Sequence, residues 1–139
     1  MFLFCYGTRP EMIKMFPLID KFNKNKIPYK TLFSGQHKDL FEQFKNYLPT
    51  PDFLMDIMEK DQSLNRLTSK IFKQIDILDL SGVTHIIVQG DTTTAYAMAM
   101  GAFNKKLKVV HLEAGLRTYN KYSPYPEEMN RTLISKIAD

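Results

Sequence analysis

A doubly wound α/β domain, a parallel sheet with helices on both sides, is what this sequence predicts. Short apolar runs alternate with longer stretches whose apolar residues recur at helical spacing. Glycine and polar or ionisable residues follow each apolar run, as at the exit of a buried strand. The chain has 139 residues, 44% hydrophobic and 24% charged, which suits one ordinary globular domain.

Phe2 to Tyr6 reads as a buried strand stopped by Gly7. Thr8 and Glu11 have the spacing of a capping box, and Pro10 suits a first helical turn. A helix is expected over 9–24, with Met12, Met15, Phe16, Ile19 and Phe22 inward and a kink at Pro17. Tyr29 to Ser34 is the second strand, stopped by Gly35. Lys38 to Leu48 carries Leu40, Phe41, Phe44 and Tyr47 at helical spacing and ends at Pro49 and Pro51. Asp52 to Lys60 reads equally as a short extended piece or a loop. Leu64, Leu67, Ile71, Ile75 and Leu78 define a long amphipathic helix over 61–80.

Ser81-Gly82 breaks that helix, and His85 to Val88 is the third strand. Asp91 is expected as the N-cap of a helix reaching 103. Lys108 to Leu112 is the fourth strand. A loop with Gly115, Pro124 and Pro126 follows, then a helix with Met129, Leu133, Ile134 and Ile137 on one face. Four clear strands are fewer than a complete doubly wound domain usually has, so residues 1–139 read as a domain cut short. An uncovered sheet edge and a tendency to associate are the expected symptoms.

Several classes of function are disfavoured. No apolar run approaches the roughly 20 residues that span a bilayer, and the N-terminal run lacks the basic leader of a signal peptide. The lone Cys5 excludes an internal disulfide and a cysteine zinc site, so a cytoplasmic location is expected. The net charge of +4 comes from dispersed lysines rather than a basic block, which argues against nucleic acid as partner. No spaced metal-ligand set is present, and no metal or cofactor is called for.

Ligands of open parallel sheets bind beyond the carboxyl ends of the strands. The four exits carry Gly7 to Glu11, Gly35 to His37, Gly90 to Thr94 and Glu113 to Thr118. Arg9 opposes the dipole of its helix unless an anion sits there, so Arg9, Lys14 and the helix N-terminus suggest a phosphate cradle. Neither a G-x-G-x-x-G nor a Walker A sequence is present. Glu113 directly follows a buried strand, with His111 on the same face, and pairing with Arg117 is its structural alternative. Convergence of Asp91, Glu113 and Glu127 would place three carboxylates around one pocket and raise at least one pKa. Such a pocket offers both an acid and a base for proton abstraction or C–O cleavage.

Gly7-Thr8-Arg9-Pro10-Glu11 with Lys14, Gly35-Gln36-His37, Gly90-Asp91-Thr92-Thr93-Thr94, His111 to Thr118 and Pro126 to Arg131 together resemble the UDP-N-acetylglucosamine 2-epimerase family. The resemblance covers essentially the whole chain. It implies the Rossmann-like N-terminal domain of a GT-B-like, two-domain enzyme, without the C-terminal nucleotide-binding domain and its catalytic histidine. The implied reaction interconverts UDP-N-acetylglucosamine and UDP-N-acetylmannosamine through elimination and re-addition of UDP. The implied full-length enzyme is a homodimer, and the domain alone is expected to be inactive. By the same resemblance Asp91, Glu113 and Glu127 are the catalytic carboxylates, and Arg9 and Lys14 contact substrate. Gln36, His37 and Gln62 resemble residues of a second, regulatory substrate site, from which Asp39 and Asp61 depart. The non-hydrolysing branch is favoured. The alternatives are the hydrolysing branch, which releases N-acetylmannosamine and UDP, and a stand-alone binding module.

Overall fold

In the computed structural model, residues 1–35 and 50–139 are described. The predicted helix at 38–48, and with it Gln36 and His37, lies outside the described residues.

Alternation along the first strand sets the layers. Of β1 (Phe2–Tyr6), Leu3 and Cys5 enter one core and Phe4 and Tyr6 the other. A strand buried on both faces needs helices on both faces. The helix α1 (Arg9–Lys24) covers the Phe4–Tyr6 side with Met12, Met15 and Ile19. The other side is covered by α2 (Leu64–Ile77), α3 (Thr93–Asn104) and α4 (Glu127–Ile137), through Leu67, Ile71, Ile75, Ala95, Ala99 and Ile134.

The remaining strands are β2 (Tyr29–Phe33), β3 (Phe53–Leu54), β4 (His85–Gln89) and β5 (Lys108–Leu112). All pair in parallel, in the order β3-β2-β1-β4-β5. The doubly wound prediction therefore stands, with five strands among the described residues instead of four. The added strand, β3, lies in the stretch that read ambiguously. It is held at the edge by Asp52, whose Oδ2 accepts from the Thr31 amide at 2.8 Å. At the opposite edge the Asp139 amide donates to the Val109 carbonyl, and Asp139 Oδ2 accepts from the Val109 amide, both at 2.9 Å.

The helix α1 spans the expected 9–24 with Pro17 inside it. Pro17 and Ile13, whose carbonyl loses its intrahelical partner to the proline, are both exposed, so the proline lies on the solvent face of the helix. Phe16 is exposed rather than inward, whereas Met12, Met15 and Ile19 carry the packing. Further along, α2 begins at Leu64, because Ser63 caps it by accepting from the Arg66 amide at 3.2 Å.

Gly35 ends β2 at φ +73°, where an added Cβ would lie 2.4 Å from the Met55 carbonyl oxygen. Gly35→Ala is expected to destabilise the domain by about 2 kcal/mol or more, from left-handed strain plus a backbone clash. Urea unfolding checks this, and an unchanged midpoint would show that the β2–β3 contact yields freely.

Candidate functional site

The order of strands reverses between β1 and β4, so the exits of these two strands flank the topological switch point. One carboxylate joins them. Glu11 is 2% exposed; its Oε2 accepts from the amides of Gly7 at 2.8 Å and Thr8 at 2.7 Å. Its Oε1 accepts from the Thr92 hydroxyl at 2.7 Å, across the switch point. The capping box is thus present, and it changes the phosphate argument. The anion favoured at the N-terminus of α1 is the protein's own Glu11, which already takes the Gly7 and Thr8 donors. The Gly7 and Thr8 amides are thus already taken, and the Arg9 and Lys14 side chains, both exposed, are the basic groups at this exit.

Asp91 is not the N-cap of α3. Thr92 is, through its Oγ1 accepting from the Ala95 amide at 3.0 Å. Freed from capping, the Asp91 carboxylate pairs with the Arg131 guanidinium, and the Asp91 carbonyl accepts from Asn130 Nδ2 at 2.9 Å. Arg131 also donates to the Leu116 carbonyl at 2.6 Å, while its Nε is buried with no partner among the described residues. Behind Asp91, His111 Nε2 lies 2.7 Å from the Gly90 carbonyl. Burial lowers the His111 pKa, so at neutral pH the ring is uncharged and donates there through Nε2–H.

Glu113 leaves β5 with φ +56°, in the left-handed region. Its Oε2 accepts from Lys14 Nζ and from Gln89 Nε2. The Lys14 hydrogen bond is the main reason its carboxyl titrates below the ordinary range, with Arg131 and Gln89 adding in the same direction. The expected crowding of carboxylates, which would raise a pKa, is therefore reversed at Glu113. The alternative pairing of Glu113 with Arg117 is also absent, since Arg117 binds Glu128 through Nε at 2.9 Å and through a terminal nitrogen at 2.8 Å.

Glu128 is buried and also accepts from the amides of Thr118 at 2.9 Å and Tyr119 at 3.1 Å. These backbone bonds, with Arg117, depress its carboxyl to about 2. Sequence reasoning placed Glu128 and Arg131 inside a motif without assigning them roles. Their signal was the three-residue spacing with Ile134, which puts all of them on the inward face of α4.

Two cavities open beside this rim. One, of about 630 Å³, is lined by Lys14, Leu18, Gln89, Leu112 and Glu113 under α1. The other, of about 370 Å³, is lined by Asp91, Leu116, Arg117, Thr118, Glu128 and Arg131 beside α4. Asp91 and Glu113 thus share the rim but face different hollows, with the Arg131 charge acting on both. Glu127 is half-buried in the first turn of α4 and lines neither cavity. Gln62, just before α2, lines neither cavity, and its Nε2 lies 3.3 Å from Met58 Sδ. Among the described residues no three His, Cys, Asp or Glu side chains group as metal ligands, and no helix is long and apolar enough to cross a membrane.

Fold and rim define a Rossmann-like α/β domain with its ionisable groups gathered at the strand exits. The chain belongs to the UDP-N-acetylglucosamine 2-epimerase family, whose sequence profile matches residues 20–139. It is 46% identical over 139 residues to a UDP-N-acetylglucosamine 2-epimerase of Salmonella borreze, covering 98% of this chain and 37% of that protein. The crystal structure of UDP-GlcNAc 2-epimerase from Neisseria meningitidis bound to UDP-GlcNAc superposes with a TM-score of 0.89 at 41% identity, over 99% of this chain and 38% of that one. The enzyme from Methanocaldococcus jannaschii in complex with UDP-GlcNAc and UDP gives 0.86 at 34% identity, over 99% and 39%. The chain therefore spans little more than a third of the length of these relatives.

Glu128 generates a pH prediction. Its folded pKa of about 2 lies below the ordinary 4.5, so its contribution to stability is complete above pH 4.5 and is lost as pH falls toward 2. The difference in urea midpoint between wild type and Glu128→Gln is expected to be largest above pH 4.5 and to shrink below it. A difference constant from pH 6 to pH 2 would show that the charge of Glu128 does not order the loop.

Proposed function

We propose that this chain is the N-terminal domain of a two-domain, GT-B-like enzyme that interconverts UDP-N-acetylglucosamine and UDP-N-acetylmannosamine, without hydrolysing either. The observation that carries this reading is the Glu113 carboxylate, held ionised by Lys14 on the same rim as Asp91. Epimerisation at C2 requires a base for the C2 proton, which an ionised carboxylate provides. As that proton leaves, the C1–O bond to the diphosphate breaks, releasing UDP and a 2-acetamidoglucal. Re-addition of UDP, with a proton delivered to the opposite face of C2, gives the epimer.

Asp91, Glu113 and Glu127 supply the acid and base roles in this reading, and Arg9 and Lys14 neutralise charge on the leaving diphosphate. Lys14 links the two tasks, because a diphosphate that attracts it weakens its hold on Glu113 and raises that carboxylate's basicity. Gln36, His37 and Gln62 belong to a second, regulatory substrate site. The remaining diphosphate contacts and a catalytic histidine come from the second domain, and the enzyme works as a cytoplasmic homodimer.

The test is turnover of UDP-N-acetylglucosamine in heavy water by the longer enzyme that carries this chain. UDP-N-acetylmannosamine with deuterium at C2 is the expected product, and free N-acetylmannosamine as sole sugar product would favour the hydrolysing branch instead. Glu113→Gln is expected to lower turnover by at least about 10²-fold, the scale of a lost general acid or base. Near-normal turnover would remove Glu113 from the catalytic set.

A further inference from the structure

We propose that Gln89 is a positioning residue, which sets the orientation of the Glu113 carboxylate from the end of β4. The inference rests on the epimerase reading given above and deepens it. Glu113 needs an anchor for a local reason: its backbone at φ +56° lies in the left-handed region, which is unfavourable for a residue other than glycine. Such a conformation persists only where its surroundings over-determine it.

Two groups hold the carboxylate, and they differ in kind. Lys14 is an exposed ammonium on a flexible stem, and a diphosphate competes for it. Gln89 is 4% exposed and is fixed by the sheet, where it pairs in register with Leu112, the residue preceding Glu113. Parallel pairing therefore places the Gln89 amide beside the first residue after β5, and its Nε2 donates to the same Oε2 that Lys14 binds. Gln89, Lys14 and Glu113 line one cavity of about 630 Å³.

Each donor has a different job on this geometry. When Lys14 turns to an anion, the Gln89 amide still aims the carboxylate. Being neutral, it does so without repelling or binding the diphosphate. The charged groups that act on Glu113 are Lys14 from α1 and Arg131 from α4, with Gln89 the neutral donor from β4.

Gln89→Met keeps the length of the side chain and deletes the donor, and Gln89→Glu replaces the donor with an acceptor of like charge. In the longer enzyme, Gln89→Met is expected to lower kcat for UDP-N-acetylglucosamine about tenfold, with KM within about threefold of wild type. The acid limb of the kcat profile should move up by about half a pH unit, and Gln89→Glu should move it further. Carbon-13 NMR of the Glu113 carboxyl, read without turnover, should show the same upward shifts. Unchanged kcat, acid limb and Glu113 titration in both variants, while Glu113→Gln is inactive, would overturn the role of Gln89 and leave the epimerase reading standing. Full activity of Glu113→Gln would overturn both. A stability loss in Gln89→Met without a shift of the acid limb would reduce Gln89 to a packing residue and overturn the proposal.

Discussion

The buried carboxylate of Glu11 is the constraint on which this rim depends. Three donors converge on it, and they come from both sides of the topological switch point. A carboxylate that is 2% exposed is costly unless its lone pairs are filled, so the loop after β1 and the loop after β4 must keep one relative placement. Thr92 serves both loops at once, donating to Glu11 and accepting from Ala95 to start α3. The spacing between α1, which carries Arg9 and Lys14, and the turn that carries Asp91 follows from this bond.

The second anchor is the inward face of α4. Ile134 gives it an apolar foot, while Glu128, Asn130 and Arg131 turn buried polar groups toward the loops. Arg131 reaches Asp91 and the Leu116 carbonyl, and Glu128 gathers Arg117 and two loop amides. One helix thereby orders the exits of β4 and β5 together. Buried ion pairs of this kind add little net stability, because desolvation offsets the attraction, but breaking one partner is severe. They fix geometry more than they add free energy.

Much of this was legible in the sequence, and the parts that were not share a cause. The full-length strands and α1 to α4 follow from period and from glycine stops, which are local properties. The strand β3 is two residues long and exists through a contact between Asp52 and Thr31, 21 positions apart. Apolar spacing puts Met129, Leu133, Ile134 and Ile137 on one face of α4; Ile134 is buried and Ile137 packs against the core, but Glu128, Asn130 and Arg131 are buried as well. Apolar periodicity cannot see a face whose buried polar groups are satisfied by ion pairs and hydrogen bonds. The cap of α3 fell on Thr92 rather than Asp91 because Asp91 has a stronger distant partner in Arg131. In each case a long-range polar contact overrode the local rule.

Those same contacts argue for how the site works. Glu113 and Asp91 both rest in ion pairs, Glu113 with Lys14 and Asp91 with Arg131. Lys14 is half exposed and easily diverted, whereas Arg131 is buried and pinned by a second bond to Leu116. A competing anion would therefore act unequally on the two pairs, loosening the grip on Glu113 and leaving Asp91 held. On the epimerase reading, that asymmetry couples arrival of the diphosphate to the appearance of a base, while the opposite carboxylate keeps its place. On that reading the charge that must be bound and the charge that must be activated are joined through one lysine.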